Sequence, residues 1–265
     1  MKVAVFGGTG FVGSYLIESL EKNNYDVITL VRPNSKDKLD NSNAKIVYGC
    51  IKDKESIKKT IQSCDIVIYN IGIIREFKHL GISFEDLHFK AAKECIDIAK
   101  VEKVKQFILM SANGVKKNGT SYQKTKFLAE EYLKKSDLAY TIFRPSLIFG
   151  DPRSSNRPEF CTQLKKDMLS LPIPAPLFFK GMNLFDAGNF AMSPIHVKDV
   201  AKIFVNSILN QKMFYQSYNI GGEKYNWKEI IKIISSACGR EKWMIPAPIA
   251  PIKFISYRYQ LLSKW

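Results

Sequence analysis

Three evenly spaced glycines near the N-terminus constrain the fold more than any other feature of the 265-residue sequence. The apolar run Val3–Phe6 leads directly into a glycine-rich segment, and an amphipathic stretch follows it. The spacing is that of a tight strand-to-helix turn, in which the backbone can approach a phosphate closely. Because the first N–H groups of a helix lack intrahelical partners, they can donate to an anion there. The segment is therefore predicted to bind a dinucleotide through Gly7, Thr9, Gly10, Phe11, Val12 and Gly13.

Short apolar runs alternate with helical patterns through the first half of the chain. The predicted strands are Val3–Phe6, Val27–Val31, Lys45–Tyr48, Ile66–Asn70, Gln106–Met110 and Tyr140–Phe143. The helices predicted between them cover 11–23, 54–63, 84–100 and 122–135. Strands that alternate with helices indicate right-handed crossovers and a parallel sheet covered on both faces. The sequence thus predicts an α/β fold with a Rossmann-type, doubly wound parallel sheet.

The regular alternation ends near Gly150, where the chain becomes rich in proline, glycine and asparagine. The later predicted elements are a helix at 159–170, strands over Met192–Ile195 and Ser217–Ile220, and helices at 198–210 and 227–238. We expect a dinucleotide-binding core over 1–150, joined by 196–220. The remainder of 151–265 is expected to form a smaller substrate-binding lobe, interleaved with the core.

The charge and the cysteines restrict the partners of the chain. The formal net charge is +15, and the basic residues are scattered along helical stretches instead of forming a block. Scattering favours a solvated basic surface over a nucleic-acid site, and leaves an anionic membrane surface or an acidic partner open. Five dispersed cysteines without a C-x-x-C pair favour reduced thiols and no metal site. Since no uncharged apolar stretch reaches about 18 residues, we expect a cytoplasmic protein, either free or peripheral to the inner membrane.

The residue after the second predicted strand bears on the choice of dinucleotide. Arg32 stands at this position, in Leu30-Val31-Arg32-Pro33. An acidic side chain here would accept a hydrogen bond from the ribose 2′-hydroxyl of NAD, whereas a cation suits the 2′-phosphate of NADP. Arg32 therefore favours NADP(H), with NAD(H) as the alternative.

A second motif, Tyr122-Gln-Lys-Thr-Lys126, lies at the start of a predicted helix. Tyr122 and Lys126 are one turn apart on the same helix face, and Ser111 ends the preceding predicted strand. A nearby ammonium favours the phenolate and lowers the pKa of a tyrosine from its usual value of about 10. We therefore predict Tyr122 as an acid–base residue, Lys126 as its partner and a ribose ligand, and Ser111 as the residue that orients a substrate oxygen.

The order of these residues resembles the short-chain dehydrogenase/reductase superfamily, in its extended and atypical branch. The matching segments are Gly7–Gly13, Ser111, Tyr122 with Lys126, Arg144–Gly150 and Pro194–Ala201. Within the branch, Asn70–Glu76 and Phe84…His88…Ala91-Ala92 look most like the subgroup around the nucleotide-binding accessory subunit of respiratory complex I. Nucleotide-sugar epimerases and dehydratases are better-known relatives. The resemblance implies further cofactor contacts from Asn70, Gly72 and Pro145.

Other polar and aromatic residues have structural explanations beside functional ones. His88 lies on an apolar helix stripe, so we predict a core histidine and not a catalytic one. His196 and Asp199 are predicted to cap and orient a helix. Four aromatic side chains of the later, irregular region either line an apolar substrate pocket or pack in a core: Phe178, Phe179, Phe185 and Phe190.

Three functions remain open from the sequence. The first is an NAD(P)-dependent oxidoreductase or epimerase/dehydratase-like enzyme acting on a small molecule, which the Ser111, Tyr122 and Lys126 set favours. The second is a non-catalytic nucleotide-binding subunit or assembly factor of a membrane redox complex, and the third is a dinucleotide-sensing regulator. The tail 249–265 has apolar residues at helical spacing and positive charge, so it either packs on its own lobe or attaches weakly to a membrane.

Overall fold

The computed structural model describes residues 1–39, 42–154, 157–181 and 183–249. The helix predicted in the tail lies outside these residues, apart from its first position. The described strands are β1 (Lys2–Phe6), β2 (Asp26–Val31), β3 (Lys45–Tyr48), β4 (Ile66–Tyr69), β5 (Gln106–Met110), β6 (Tyr140–Pro145), β7 (Ile148–Phe149), β8 (Ala175–Phe179), β9 (Ala191–Met192), β10 (Ile195–His196), β11 (Gln216–Ile220), β12 (Tyr225–Asn226) and β13 (Met244–Pro248).

The described α-helices are α1 (Phe11–Lys22), α2 (Lys54–Ile61), α3 (Ala91–Val101), α4 (Ser121–Lys134), α5 (Phe160–Leu164), α6 (Val197–Asn206) and α7 (Trp227–Ala237). Two π-helical turns precede α3 and follow α5, at Glu85–Lys90 and Lys165–Leu169. Short 3₁₀ segments lie at Pro33–Leu39, Lys78–Leu80, Leu184–Asp186 and Gln211–Met213. In the described part of the chain, no helix is long and apolar enough to cross a membrane.

Seven of the described strands form one sheet, in the order β11-β6-β5-β4-β1-β2-β3. Every neighbouring pair in this sheet is parallel. The strand order reverses between β1 and β4, which places a crevice at their carboxyl ends. The structure confirms the predicted doubly wound α/β fold, and it puts the glycine-rich segment after β1 at that crevice.

Apolar side chains of the central strands point alternately to the two faces of the sheet. Ala4 and Phe6 pack with α2, α3 and α4 on one face, whereas Val3 and Val5 pack with α1 and α6 on the other. Both clusters are almost entirely removed from solvent, so burial of apolar surface on two faces holds the sheet rigid. The strand ends that carry the candidate site therefore rest on a fixed scaffold.

The chain divides into two compact units. The first consists of Met1–Arg157 with Ile195–Gly221, and it contains the seven-stranded sheet. The second consists of Pro158–Pro194 and the chain from Gly222 onward. In the second unit β8 and β13 pair in parallel and β9 pairs with β12 antiparallel. Its core centres on Trp227, whose indole N–H donates to the Pro176 carbonyl at 2.9 Å.

Several predicted helix starts are confirmed by their caps. Asp53 accepts a hydrogen bond from the Ser56 N–H at 3.0 Å at the start of α2. Asn226 and Glu229 form the reciprocal capping box of α7. His196 caps α6 by accepting from the Lys198 N–H at 3.3 Å, as predicted, while Asp199 stays exposed in the first turn.

The single strand predicted over Met192–Ile195 is wrong. Ala191–Met192 pairs with β12, whereas Ile195–His196 pairs with β7 in the first unit. Pro194 lies between the two short strands, and a proline cannot donate to a ladder. The pairing of β8 with β13 was not predicted, because Pro246 and Pro248 within β13 argue against a strand.

Candidate functional site

The glycine-rich segment adopts a conformation that requires glycine at two positions. Gly7 has a φ of +91°, which side-chain-bearing residues rarely adopt. A Cβ placed on Gly13 would lie 2.1 Å from the carbonyl oxygen of Gly7. The Gly10 N–H donates to that same oxygen at 3.1 Å and closes the turn. The loop is thus as tight as the spacing predicted.

The N-terminus of α1 opens directly from this loop. Gly10 is its cap residue, and no side chain of the described residues makes a capping hydrogen bond there. The first turn also carries no acidic residue. Its N–H groups and the positive end of the helix dipole are therefore available to an external anion. A cradle closed by glycines at an uncapped helix start fits the pyrophosphate of a dinucleotide.

The segment after β4 lies next to the loop. Asn70 donates its N–H to the Phe6 carbonyl at 2.9 Å, and its own carbonyl oxygen would lie 3.0 Å from a Cβ on Gly7. Two residues later, a Cβ on Gly72 would lie 3.5 Å from the Lys126 ammonium nitrogen. Asn70 and Gly72 thus connect the glycine loop with the Tyr-x-x-x-Lys helix α4.

Lys126 is buried, with 3% of the residue exposed. Its Nζ donates to the Met110 carbonyl at 3.0 Å and to the Ile71 carbonyl at 3.2 Å. Burial lowers the pKa of this ammonium to about 8, and the negative charge of Glu130 one turn further along α4 opposes that change. Lys126 is therefore a fixed cation at the carboxyl ends of β4 and β5.

Tyr122 lies in an aromatic pocket one turn before Lys126. Its ring meets the rings of Phe84 and His88 edge to face, with centroid distances of 5.5 and 5.1 Å. Burial raises the pKa of the Tyr122 hydroxyl. This is opposite to the lowering expected from the sequence, because Lys126 directs its ammonium to backbone carbonyls. Tyr122 is accordingly a protonated phenol at neutral pH.

Ser111 belongs to a buried polar network that the sequence did not reveal. Its hydroxyl donates to the carboxylate of Glu130, which is fully buried. The Arg144 guanidinium at the end of β6 pairs with both oxygens of that carboxylate. The one sequence feature that could have pointed to Glu130 as part of this network is its position four residues after Lys126, on the same helix face.

His88 is confirmed as a core residue. It is buried, its Nε2 accepts from the Ile73 N–H at 3.1 Å, and its Nδ1 lies 3.2 Å from the Thr125 hydroxyl oxygen. Since Nε2 accepts, the neutral ring carries its proton on Nδ1 and donates to Thr125. Burial lowers the His88 pKa to about 3. His88 thereby ties the segment after Gly72 to helix α4.

Two further predicted residues lie at the same edge of the sheet. Arg32 directly follows β2 and is exposed. Pro145 ends β6, and its carbonyl accepts the Asn113 N–H at 2.9 Å. The predicted site residues thus lie in the segments that follow β1, β2, β4 and β5, including helices α1 and α4, and at the end of β6.

The four phenylalanines considered for a substrate pocket have different surroundings. Phe178 and Phe190 stack on Trp227 with centroid distances of 6.4 and 5.7 Å, and Phe179 is buried. Phe185 is 93% exposed. Phe178 therefore packs against the core of the second unit, whereas Phe190, which is 43% exposed, stacks on Trp227 at the surface. A cavity of about 390 Å³ in that unit is lined instead by residues such as Lys165, Leu171, Arg240 and Lys242.

A family model described as NAD(P)H-binding matches residues 7–167, more than half of the chain. The chain belongs to this NAD(P)H-binding family. Together with the parallel sheet, the match confirms the resemblance to extended short-chain dehydrogenases/reductases.

Two kinds of curated protein are similar to this chain along most of the chain's length. It is 26% identical over 261 residues to NADH dehydrogenase [ubiquinone] 1 alpha subcomplex subunit 9, mitochondrial, of Dictyostelium discoideum, covering 95% of the chain and 68% of the relative. The protein of the same name from Mus musculus is 25% identical, with 97% and 66% covered. A putative UDP-glucose 4-epimerase of Methanocaldococcus jannaschii is 26% identical over 261 residues, with 89% and 82% covered. The chain thus spans about two thirds of the length of the first two relatives.

Solved structures share the fold. UDP-glucuronic acid 4-epimerase from Bacillus cereus in complex with NAD superposes with a TM-score of 0.75 at 21% identity, covering 94% of this chain and 86% of the other. UDP-glucose 4-epimerase from Bifidobacterium longum in complex with NAD+ and UDP has a TM-score of 0.74 at 20% identity, with the same coverage. These structural similarities show that the chain has an epimerase-like fold.

Proposed function

We propose that this protein is an NAD(P)-dependent oxidoreductase or epimerase/dehydratase-like enzyme with a small-molecule substrate. The observation that carries the proposal is the position of the Lys126 ammonium, fixed between the Met110 and Ile71 carbonyls and beside Gly72. Tyr122 lies one helical turn from it. A cation and a phenol thus lie one turn apart on helix α4, and the cation contacts the carbonyls of Met110 and Ile71 near the strand ends that the glycine loop also borders.

The cofactor would be held by residues of four strand ends. The N–H groups of Phe11 and Val12, with the turn of Gly7, Thr9, Gly10 and Gly13, are positioned for a pyrophosphate. Arg32 favours the 2′-phosphate of NADP(H) over the bare hydroxyl of NAD(H). Lys126, Asn70, Gly72 and Pro145 border the place of the nicotinamide ribose. When bound, the nicotinamide supplies or accepts the hydride.

The acid–base work belongs to Tyr122. Its raised pKa keeps the phenol protonated, so it would give its proton to a substrate oxygen in the reductive direction and be left as the phenolate. In the oxidative direction only the phenolate form could accept the substrate proton, and the raised pKa disfavours that form. Ser111 has committed its proton to Glu130. It therefore orients the substrate by accepting a hydrogen bond from a hydroxyl group.

The second candidate is a nucleotide-binding subunit or assembly factor of a membrane redox complex. Two observations favour it: the similarity to proteins named as NADH dehydrogenase [ubiquinone] subunits, and the absence of a pKa-lowering effect of Lys126 on Tyr122. In that case the dinucleotide stabilises the subunit and is not turned over. The protein would then associate with a membrane complex from the cytoplasmic side.

Binding and turnover separate the two candidates. NADPH and NADH are titrated into the purified protein by fluorescence, and the loaded protein is then incubated with UDP-glucose, a probe chosen from the epimerase relatives. Tight binding with conversion of the probe, lost in Tyr122→Phe while cofactor affinity persists, supports the enzyme. Binding without conversion, together with salt-sensitive sedimentation on anionic vesicles, supports the subunit. No binding of either dinucleotide would overturn both.

A further inference from the structure

Large apolar side chains are exposed close together where strands β8 and β13 begin to pair. Trp243 is 82% exposed, and its carbonyl accepts the Ala175 N–H at 2.7 Å at the start of the two strands. Ile245 shares the face of Trp243, because side chains alternate along a strand. Ile173 lies two residues before β8, and both isoleucines are at least half exposed. A patch of exposed apolar side chains marks an interaction site.

Positive charges border this patch. The cavity of about 390 Å³ in the second unit is lined by three basic side chains: Lys165, Arg240 and Lys242. Among the described residues, Glu241 is the one acidic residue in that lining. Lys242 directly precedes Trp243, and its Nζ donates to the carbonyl of Leu171, an exposed apolar residue that also lines the cavity. The cavity and the exposed apolar residues are therefore continuous.

We refer to this region of the second unit as the tryptophan surface. Its apolar members are Leu171, Ile173, Trp243 and Ile245, and its cations are Lys165, Arg240 and Lys242. The chain runs from it through β13 into the tail 249–265, whose sequence holds three basic residues and no acidic one. A short apolar and basic segment binds a membrane only reversibly by itself, and a second contact on the same chain strengthens its attachment.

The chemistry of the tryptophan surface fits an anionic lipid bilayer better than a protein partner. Tryptophan rings concentrate at the boundary between the hydrocarbon and the water of a membrane. Lysine and arginine are attracted to the phosphates of anionic lipids, whereas lysine is depleted in protein–protein interfaces. A second copy of this chain would bring the same positive charges together, which is unfavourable.

We propose that the tryptophan surface docks the protein on an anionic lipid bilayer, with its apolar side chains among the headgroups and its cations beside the lipid phosphates. The inference deepens the second candidate function and rests on the membrane association proposed there. It assigns that association to the folded second unit, with the tail as an additional contact.

Tryptophan fluorescence reports the docking contact directly. The sequence has three tryptophans, and Trp227 is buried, with its indole N–H bonded to the Pro176 carbonyl. In the full-length variant Trp265→Phe, quenching by a lipid therefore reports on Trp243. Vesicles of phosphatidylglycerol with brominated acyl chains should quench this emission, and brominated phosphatidylcholine should not. The variant Trp243→Phe/Trp265→Phe gives the background from Trp227.

Sedimentation with unlabelled phosphatidylglycerol vesicles measures the contribution of each group. Trp243→Ser/Ile245→Ser should lower the partition coefficient about tenfold, because two apolar side chains no longer leave water. Lys165→Gln/Arg240→Gln should lower it about fivefold or more at low salt, and should reduce the difference between low and high salt. Circular dichroism checks that each variant is folded.

Two matched variants control for exposure and for charge. Phe185 is more exposed than Trp243 and lies near the opposite end of β8, where the Gly188 N–H donates to the Phe178 carbonyl. Phe185→Ser should bind vesicles as the wild type does. Lys224→Gln/Lys228→Gln removes two exposed positive charges near the start of α7 and should bind nearly as tightly as the wild type.

Equal partition of the wild type and Trp243→Ser/Ile245→Ser overturns the inference, as does unquenched Trp243 emission on vesicles that bind the protein, which assigns the binding to the tail alone. A dimer in light scattering that becomes a monomer in Trp243→Ser/Ile245→Ser indicates a second copy as the occupant and also overturns it. If that variant does not fold, the quenching of Trp265→Phe decides. A wild-type protein that binds neither kind of vesicle contradicts the membrane association itself, which separates that outcome from failure of the tryptophan surface.

Discussion

The hydroxyl of Ser111 donates its proton to the carboxylate of Glu130. A serine has one proton to give, so only lone pairs of Ser111 remain for any other partner. Glu130 is fully buried and held by Arg144, which makes the carboxylate a strong and fixed acceptor. In a substrate contact of the kind proposed above, Ser111 would act as the hydrogen-bond acceptor, and a substrate hydroxyl group would act as the donor.

Glu130→Gln should destabilise the protein. The substitution removes the carboxylate that pairs with the partly exposed Arg144 guanidinium and accepts from Ser111, and loss of hydrogen bonds to a charged group costs about 2 kcal/mol. Urea denaturation measures the loss as a lower free energy of unfolding. The double variant Glu130→Gln/Arg144→Met removes the uncompensated charge and should recover part of it. A single variant within 0.5 kcal/mol of the wild type, on the order of a surface substitution, would show that the network is not structural.

Acid should destabilise the protein through His88. Its pKa is about 3 in the folded chain against an ordinary value of 6.5, so between these values the unfolded chain binds a proton that the folded chain excludes. Stability is therefore complete above pH 6.5 and falls as the pH drops toward 3, by roughly 4 kcal/mol. Denaturation midpoints from pH 7 to 4 test this. His88→Leu, although less stable at pH 7, should show a flatter profile, and an identical slope would exclude His88 as the cause.

Alkaline pH should act on Lys126 in the opposite sense. Its folded pKa is about 8 against 10.5 for an ordinary lysine, so the unfolded chain holds the extra proton between those values. The free energy of unfolding should gain up to roughly 3 kcal/mol from this group as the pH rises from 8 to 10.5. Lys126→Met should lack this contribution. The difference between the two pH profiles isolates Lys126 from other titrating groups, and parallel profiles would contradict the assigned burial.

Gly13→Ala should weaken dinucleotide binding strongly. The new methyl carbon would lie 2.1 Å from the Gly7 carbonyl oxygen, so the loop must open. We expect a loss of NADPH affinity on the order of a hundredfold, about 2.7 kcal/mol. Gly10→Ala is the graded control, because its Cβ would meet the same oxygen at 3.2 Å. Fluorescence titration should rank the affinities as wild type, Gly10→Ala, Gly13→Ala, and any other order counts against the loop as the binding site.

Arg32→Ala should remove the preference for NADP(H). Loss of a cation beside a 2′-phosphate weakens NADPH binding about tenfold and leaves NADH binding unchanged. The ratio of the two dissociation constants is the measured quantity. Arg240→Ala in the second unit removes the same charge and should leave the ratio as in the wild type. A wild-type protein with equal affinities for NADPH and NADH would contradict the role of Arg32 in selecting NADP(H).

The features that the sequence predicted correctly are those that depend on residues close together along the chain. The glycine loop, the order of strands and helices in the first half, and the starts of the helices that follow Asp53 and Asn226 depend on local spacing. The pairing of Ser111 with Glu130 depends on strand β5 and helix α4 packing together, which no spacing encodes. The burial that raises the Tyr122 pKa likewise comes from Phe84 and His88 of another helical turn. Sequence patterns therefore identify the candidate residues, and tertiary packing determines the direction in which the pKa of Tyr122 is shifted.

The first unit consists of two separate stretches of the chain, and this affects the order in which its strands emerge from the ribosome. Strand β6 is translated long before its neighbour β11, because Pro158–Pro194 of the second unit intervenes. During that interval the nascent chain has the glycine loop but an unpaired β6 edge. A message truncated before Gln216 would yield a product that retains this edge and is prone to associate with other chains through it.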